Sequence, residues 1–140
     1  MKKLVCSEFY HIFNHSNENQ KLFRENDNYK YFKNQVVKYI SPVADIFSYA
    51  LFPNHFHLLI RTKSEEEIVA RGTNLKTSVV PGTSEVLSLA EKKLANSFKN
   101  LFISYTKAMH KKYGIAGSIL RPKFRRKQIE DNDYLLTLIL

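Results

Sequence analysis

Two periodicities of hydrophobic residues alternate along the chain and predict its secondary structure. Apolar residues at every second position indicate strands, and apolar residues at three- and four-residue steps indicate amphipathic helices. The longest helical stripe runs through Leu94, Phe98 and Leu101 and ends at Gly114. The predicted elements are a strand at 4–15, a helix capped by Asp27 or Asn28, strands at 43–52 and 55–62, a helix capped by Thr83 or Ser84, an extended segment at 118–128 and a last helix capped by Asp131 or Asp133.

The order of these elements predicts the fold class. The first six match the split β-α-β arrangement, so we expect an α+β domain with a ferredoxin-like antiparallel sheet, helices packed on one face and an added C-terminal helix. A chain of this length forms a single domain over residues 1–140. Residues 64–83 contain three consecutive glutamates and two glycines, and we predict a surface loop there.

Composition places the chain among soluble globular proteins, with 44% hydrophobic and 25% charged residues. No apolar run approaches the roughly 20 residues that cross a bilayer, so no membrane partner is expected. Cys6 is the single cysteine, which excludes an internal disulfide and a multi-cysteine zinc site. We therefore expect a cytoplasmic protein.

The net charge of +9 indicates which class of partner the protein binds. A positive charge of this size is typical of proteins that bind polyanions, above all nucleic acids. A basic surface that serves solubility alone is the alternative.

His55 and His57 carry the most informative chemistry of the sequence. They flank Phe56 in an apolar run, and alternate side chains of a strand share a face, so the two imidazoles project together about 7 Å apart. Leu58 and Ile60 then point the other way, into the core. The two imidazoles supply two ligands for a divalent metal ion, and a third has to come from elsewhere. Two locally hydrogen-bonded histidines on a solvated sheet face are the alternative.

Residues 53–60, Pro-Asn-His-Phe-His-Leu-Leu-Ile, resemble the HUH (His-hydrophobic-His) motif of single-tyrosine transposases. The most similar variant is that of the REP-associated tyrosine transposases and their insertion-sequence relatives. Phe9–His15 resembles the opening strand of this family, residues 21–23 the segment that follows, and residues 115–124 the block before its final helix. Order and spacing extend the resemblance over nearly the whole chain except 64–83.

The resemblance implies a function in DNA transposition. In such enzymes the two histidines and a polar residue of the last helix bind Mg²⁺ or Mn²⁺, which assigns His55 and His57 as metal ligands. The ion polarises a phosphate of single-stranded or hairpin DNA, and a tyrosine hydroxyl attacks to give a 5′-phosphotyrosine and a free 3′-hydroxyl. Relatives often dimerise, so a homodimer is a further expectation.

The sequence departs from the family pattern at its end. The family's nucleophile stands in a Tyr-Ile-x-x-Asn-Pro or Tyr-x-x-x-Gln pattern, whose Asn or Gln is the third metal ligand. Residues 133–140 resemble the stretch just before this pattern. We therefore expect the last helix to be truncated at Leu140, with the nucleophile just beyond Leu140 and the third ligand one helical turn later.

The tyrosines within the chain are weaker candidates for the nucleophile. Tyr134 is the fallback, although Leu138 stands where its Asn or Gln belongs. Tyr105 is expected in the core because it belongs to the apolar stripe of the long helix, and Tyr113 is expected to pack at the end of that helix.

Basic residues form a second group of candidate site residues. Residues of this type contact phosphates without reading bases, so we expect them to bind DNA, with a solvated charged face as the alternative. Phe124 lies among them and is expected to be a core residue rather than a base-stacking one. The candidate DNA-binding residues are Lys107, Lys111, Arg121, Lys123, Arg125 and Arg126.

Two other functions stay open at this point. The first is a non-catalytic module that binds single-stranded nucleic acid, because many RNA-binding proteins use a ferredoxin-like sheet with aromatic residues. The second is a small metal-dependent hydrolase in which His55 and His57 activate water.

Overall fold

The computed structural model describes residues 3–17, 20–72 and 84–131, whose elements follow the predicted order with one helix added. The predicted C-terminal helix, with its expected truncation at Leu140, lies outside these residues. None of the described helices is long and apolar enough to cross a membrane. The elements are β1 (Phe9–His15), α1 (Asn26–Ile40), β2 (Ala44–Phe52), β3 (His55–Thr62), α2 (Glu65–Gly72), α3 (Ser84–Tyr113) and β4 (Arg125–Ile129).

The four strands form one open sheet with the order β2-β3-β1-β4, and every neighbouring pair is antiparallel. This order arises because α1 carries the chain from β1 to the far edge, and α3 returns it from β3 to the other edge. It is the strand order of a ferredoxin-like domain, so the predicted α+β fold class is confirmed. The two central strands are β3 and β1, which makes β2 and β4 the edges.

Strand alternation divides the sheet into a covered and an open face. Tyr10 and Ile12 of β1 and Phe56, Leu58 and Ile60 of β3 are buried towards the helices. The residues between them belong to the opposite face, called the open face below, where most of the side chains of β1 and β3 are partly exposed and Leu59 is buried. The helices fill the core with Phe32, Val36, Ile40, Ala90, Leu94, Phe98, Leu101, Tyr105 and Met109.

Helix α2 lies where the sequence predicted the start of a surface loop. Ser64 and Glu67 form a capping box, in which the Ser64 hydroxyl accepts the Glu67 N–H at 3.2 Å and the Glu67 carboxylate accepts the Ser64 N–H at 3.4 Å. Ile68 is buried in the core and fixes the helix against the domain. Residues 73–83, the remainder of the predicted loop, lie outside the described residues.

The starts of α1 and β1 also differ from the prediction. Helix α1 begins at Asn26, ahead of both predicted caps, and the Asn28 side chain caps it from within the first turn by accepting the N–H groups of Arg24 and Glu25. Strand β1 begins at Phe9 instead of residue 4, because Ser7 has a φ of 59° and interrupts the extended chain.

Candidate functional site

The open face of the two central strands carries four histidines. His11 and His15 come from β1, and His55 and His57 from β3, all at positions that point away from the helices. In the antiparallel register His15 lies opposite His55, and His57 lies opposite Phe13. The sequence predicted the β3 pair, whereas the contribution of β1 depends on strand pairing and was missed. The even spacing of His11 and His15 within a strand is the signal that could have found them.

Hydrogen bonds orient the two predicted metal ligands. Nδ1 of His57 lies 2.8 Å from Nε2 of His11, and Nδ1 of His55 lies 2.7 Å from Oδ1 of Asn54. Because an amide oxygen only accepts, the second contact puts the His55 proton on Nδ1 and leaves the Nε2 lone pair for a metal ion. The same arrangement holds for His57 when its Nδ1 donates to His11. Both imidazoles are thus held through Nδ1, as metal-binding histidines commonly are.

The electrostatics of the open face favour neutral imidazoles. Burial lowers the pKa of His57, and the nearby His55 and His15 lower it further. Burial is also the main cause of the lowered pKa values of His11 and His15. His57 and then Lys127 lower the pKa of His11 further. His55, followed by Arg121 and Arg125, has the same effect on the pKa of His15. A neutral imidazole is the form that binds a metal ion, so the lowered pKa of His57 favours metal binding.

The donor set at this face fits a divalent ion only in part. His55 and His57 supply two neutral nitrogen donors on one surface, with their ring centroids 5.2 Å apart. Within residues 3–17, 20–72 and 84–131, however, no three His, Cys, Asp or Glu side chains are grouped closely enough to hold a metal ion. Further ligands therefore have to come from another residue type, from residues outside these ranges or from the bound substrate.

Two of the predicted DNA-binding residues lie beside the histidines. Arg125 of β4 is opposite Phe13 on the open face and is exposed. The backbone N–H of Arg121 donates to the carbonyl of His15 at 3.0 Å, and both arginines contribute to the lowered pKa of His15. Lys123 is exposed on the segment that joins them. Positive charge therefore borders the histidines at the β4 edge.

Three further predicted DNA-binding residues lie on the helical side. Arg126 follows Arg125 in β4 and points the opposite way, with its guanidinium 4.0 Å from the centre of the Phe124 ring. Lys107 and Lys111 line a groove between α1 and α3 that no strand residue enters. These residues do not share a surface with the histidines. Phe124 itself packs on Phe98 at 5.0 Å between ring centroids, as expected of a core residue.

None of the described tyrosines occupies an open-face position of the sheet. Tyr105 is buried in the core and its hydroxyl donates to the Leu22 carbonyl at 2.6 Å, which confirms its predicted packing role. The Tyr113 hydroxyl, at the end of α3, donates to Asn28. The remaining described tyrosines are buried, lie on α1 or face the helices: Tyr10, Tyr29, Tyr31, Tyr39 and Tyr49.

The predicted positions of the nucleophile are not among the described residues. Tyr134, the fallback nucleophile, and Leu140, just beyond which the resemblance implies the family's tyrosine, both lie after residue 131, where the described part of the chain ends. The expected truncation before the nucleophile and the third metal ligand therefore stays a prediction from the sequence.

Comparison with known proteins supports the fold. No family model and no curated protein sequence matches the chain. A solved REP-associated tyrosine transposase bound to a REP hairpin has a TM-score of 0.57 at 12% identity, over 99% of this chain and 66% of that one. A putative transposase from Deinococcus radiodurans has a TM-score of 0.40 at 13% identity, over 99% and 88% of the two chains. The first similarity confirms, at the level of fold, the resemblance seen in the sequence.

Proposed function

We propose that this protein acts in DNA transposition as a metal-dependent endonuclease and strand transferase of single-stranded or hairpin DNA. The observation that carries the proposal is the placement of His55 and His57, side by side on the open face of a ferredoxin-like sheet. The proposal gains support from the similar fold of a transposase solved with a REP hairpin. The net charge of +9 suits a polyanionic substrate.

The residues of the open face have different roles in the proposed reaction. Mg²⁺ or Mn²⁺ held by His55 and His57 would supply Lewis-acid polarisation of the scissile phosphate. Asn54 and His11 hold these imidazoles in orientation through their Nδ1 atoms. Arg125, exposed at the neighbouring edge, attracts the phosphates that flank the cleavage position.

The nucleophile of the proposed reaction is a tyrosine hydroxyl. The tyrosine hydroxyl gives up its proton as its oxygen attacks the phosphorus, the bond from phosphorus to the 3′-oxygen breaks, and the 3′-oxygen takes up a proton. The 5′-phosphotyrosine keeps the energy of the phosphodiester, so a 3′-hydroxyl can later reverse the step. Tyr134 is the fallback candidate within this chain, because it lies in the stretch that resembles the one just before the family's nucleophile. A tyrosine beyond Leu140 is the alternative that the resemblance implies.

A capture experiment tests this function. The protein is incubated with 3′-labelled hairpin DNAs that carry randomised single-stranded flanks, and a denaturing gel detects label bound to protein. We expect an adduct that needs Mn²⁺ or Mg²⁺ and is lost in EDTA. Tyr134→Phe abolishes the adduct if Tyr134 is the nucleophile, whereas Tyr113→Phe, the matched control, leaves it unchanged. An adduct that persists in Tyr134→Phe would place the nucleophile elsewhere.

The second candidate is a non-catalytic module for single-stranded nucleic acid. It is favoured by the aromatic residues Phe13 and Phe52, which share the open face with basic groups as in sheet-based RNA-binding domains. The capture experiment separates the candidates. DNA binding without cleavage in Mn²⁺ or Mg²⁺ would favour the non-catalytic binding module over the endonuclease. Cleavage without an adduct would indicate that water is the nucleophile.

His11 gives a prediction about metal affinity. We expect His11→Ala to weaken Mn²⁺ binding about 10- to 100-fold, because His57 loses the hydrogen bond that orients it. Electron paramagnetic resonance of free Mn²⁺ measures the change without any DNA. His110→Ala is the control, since this histidine contacts the Gly117 carbonyl at the end of α3. Unchanged Mn²⁺ affinity in folded His11→Ala would contradict the orienting role.

A further inference from the structure

Three aromatic rings form a continuous stack across the end of the sheet. Phe52 of β2, His55 of β3 and His15 of β1 are direct cross-strand neighbours. The rings of Phe52 and His55 are nearly parallel, with an interplanar angle of 11° and a centroid distance of 4.5 Å. His55 and His15 follow at 24° and 5.0 Å. One candidate metal ligand is therefore the middle ring of a stack.

The stack is open at its Phe52 end. Strand β2 is an edge of the sheet, and the ring contacts of Phe52 among the described residues are with His55 and His57 alone. The Phe52 residue is 44% exposed, although a phenylalanine ring in this position is costly to leave in water. The ring face turned away from His55 can therefore accept another planar group.

The positive charge beside the stack indicates that the ligand carrying this planar group is an anion. Arg121 and Arg125 border the stack on the β4 side, which lies about 14 Å from β2 because three strand spacings separate the edges. Asp45 is the one acidic residue among the described open-face strand positions, and it lies opposite Arg61 at the other end of the sheet. An anionic chain that carries planar groups can thus cross from the arginines to Phe52.

We propose that the outer face of Phe52 is a stacking site for a nucleobase of single-stranded DNA, next to the phosphate that the histidines receive. The choice of ligand rests on the proposed function. Every base has a π-face, so this site holds the strand without selecting a particular base. Its role is to fix the backbone of the neighbouring nucleotide over His55.

The test measures binding of hairpin DNA with a single-stranded flank in EDTA, where the metal-dependent reaction does not take place. 2-Aminopurine is placed at each flank position in turn, because stacking on an aromatic ring quenches its fluorescence. We expect quenching at one position. Phe52→Ala is expected to remove it and to weaken binding about 5- to 150-fold, the range of one base–aromatic stack. Phe52→Trp restores both signals.

Phe47→Ala is the matched control, since Phe47 is an exposed phenylalanine of the same strand that contacts Phe9 instead of the histidines. It should bind within about twofold of the wild type. Wild-type affinity and quenching in Phe52→Ala would overturn the stacking site, as would an equal loss in Phe47→Ala. Thermal unfolding verifies that both variants fold. Quenching that depends on Phe52 without cleavage in Mn²⁺ would contradict the endonuclease alone, whereas cleavage of an unquenched flank would contradict the stacking site alone.

Discussion

Replacement of His57 by alanine is expected to lower both Mn²⁺ affinity and the rate of DNA cleavage by at least about 100-fold, which corresponds to about 2.7 kcal/mol. A metal ion that polarises a phosphoryl oxygen supplies several kcal/mol of transition-state stabilisation. Loss of one of two imidazole donors removes most of this stabilisation. The substitution also removes the imidazole nitrogen that lies 2.8 Å from Nε2 of His11. His55→Ala is expected to lower the Mn²⁺ affinity and the cleavage rate by a similar factor.

The measurements are Mn²⁺ titrations followed by paramagnetic resonance and single-turnover cleavage of hairpin DNA. His110→Ala is again the control, because the sequence has five histidines and this one alone lies away from the open face. Circular dichroism confirms that the variants fold. Wild-type Mn²⁺ affinity in both His57→Ala and His55→Ala would refute the metal site, even if cleavage fell for another reason.

The part of the site that lies within one strand could be predicted because the two-residue period is local. His55 and His57 share a face wherever their strand lies in the sheet. The approach of His11 and His15 to them is different, since it depends on the register between β1 and β3. Helix α1 and strand β2 separate these strands in sequence, and no local pattern specifies which residues become partners.

The faces of the basic residues were missed for a different reason, because here the signal was local. Arg125 and Arg126 are adjacent in sequence, yet strand alternation sends them to opposite faces of the sheet. The predicted extended segment, 118–128, was too long and began too early to reveal this alternation. The capping box of Ser64 and Glu67 was also a local signal, for α2, that the glutamate-rich composition concealed.

Replacement of Phe56 by alanine is expected to lower the free energy of unfolding by about 3–5 kcal/mol. Phe56 stands between the two histidines on β3, but its side chain points into the core and is fully buried. Its ring packs against Phe32 of α1 at 5.1 Å and Phe102 of α3 at 5.8 Å between centroids, so it joins the sheet to both long helices. A truncated side chain leaves a cavity where these three elements meet.

Urea unfolding followed by circular dichroism measures this loss, which is a large part of the 5–15 kcal/mol that stabilises a typical domain. Phe56→Leu refills part of the cavity and should lose a smaller amount, which gives a measurable value if the alanine variant does not fold. Phe47→Ala removes a ring of the same type from an exposed position of β2, and we expect a change below about 1 kcal/mol. A Phe56→Ala loss no larger than that of Phe47→Ala would contradict the packing of β3 on the helices. Because the same strand carries His55 and His57, a weakened core at Phe56 would also loosen the surface on which the two imidazoles converge.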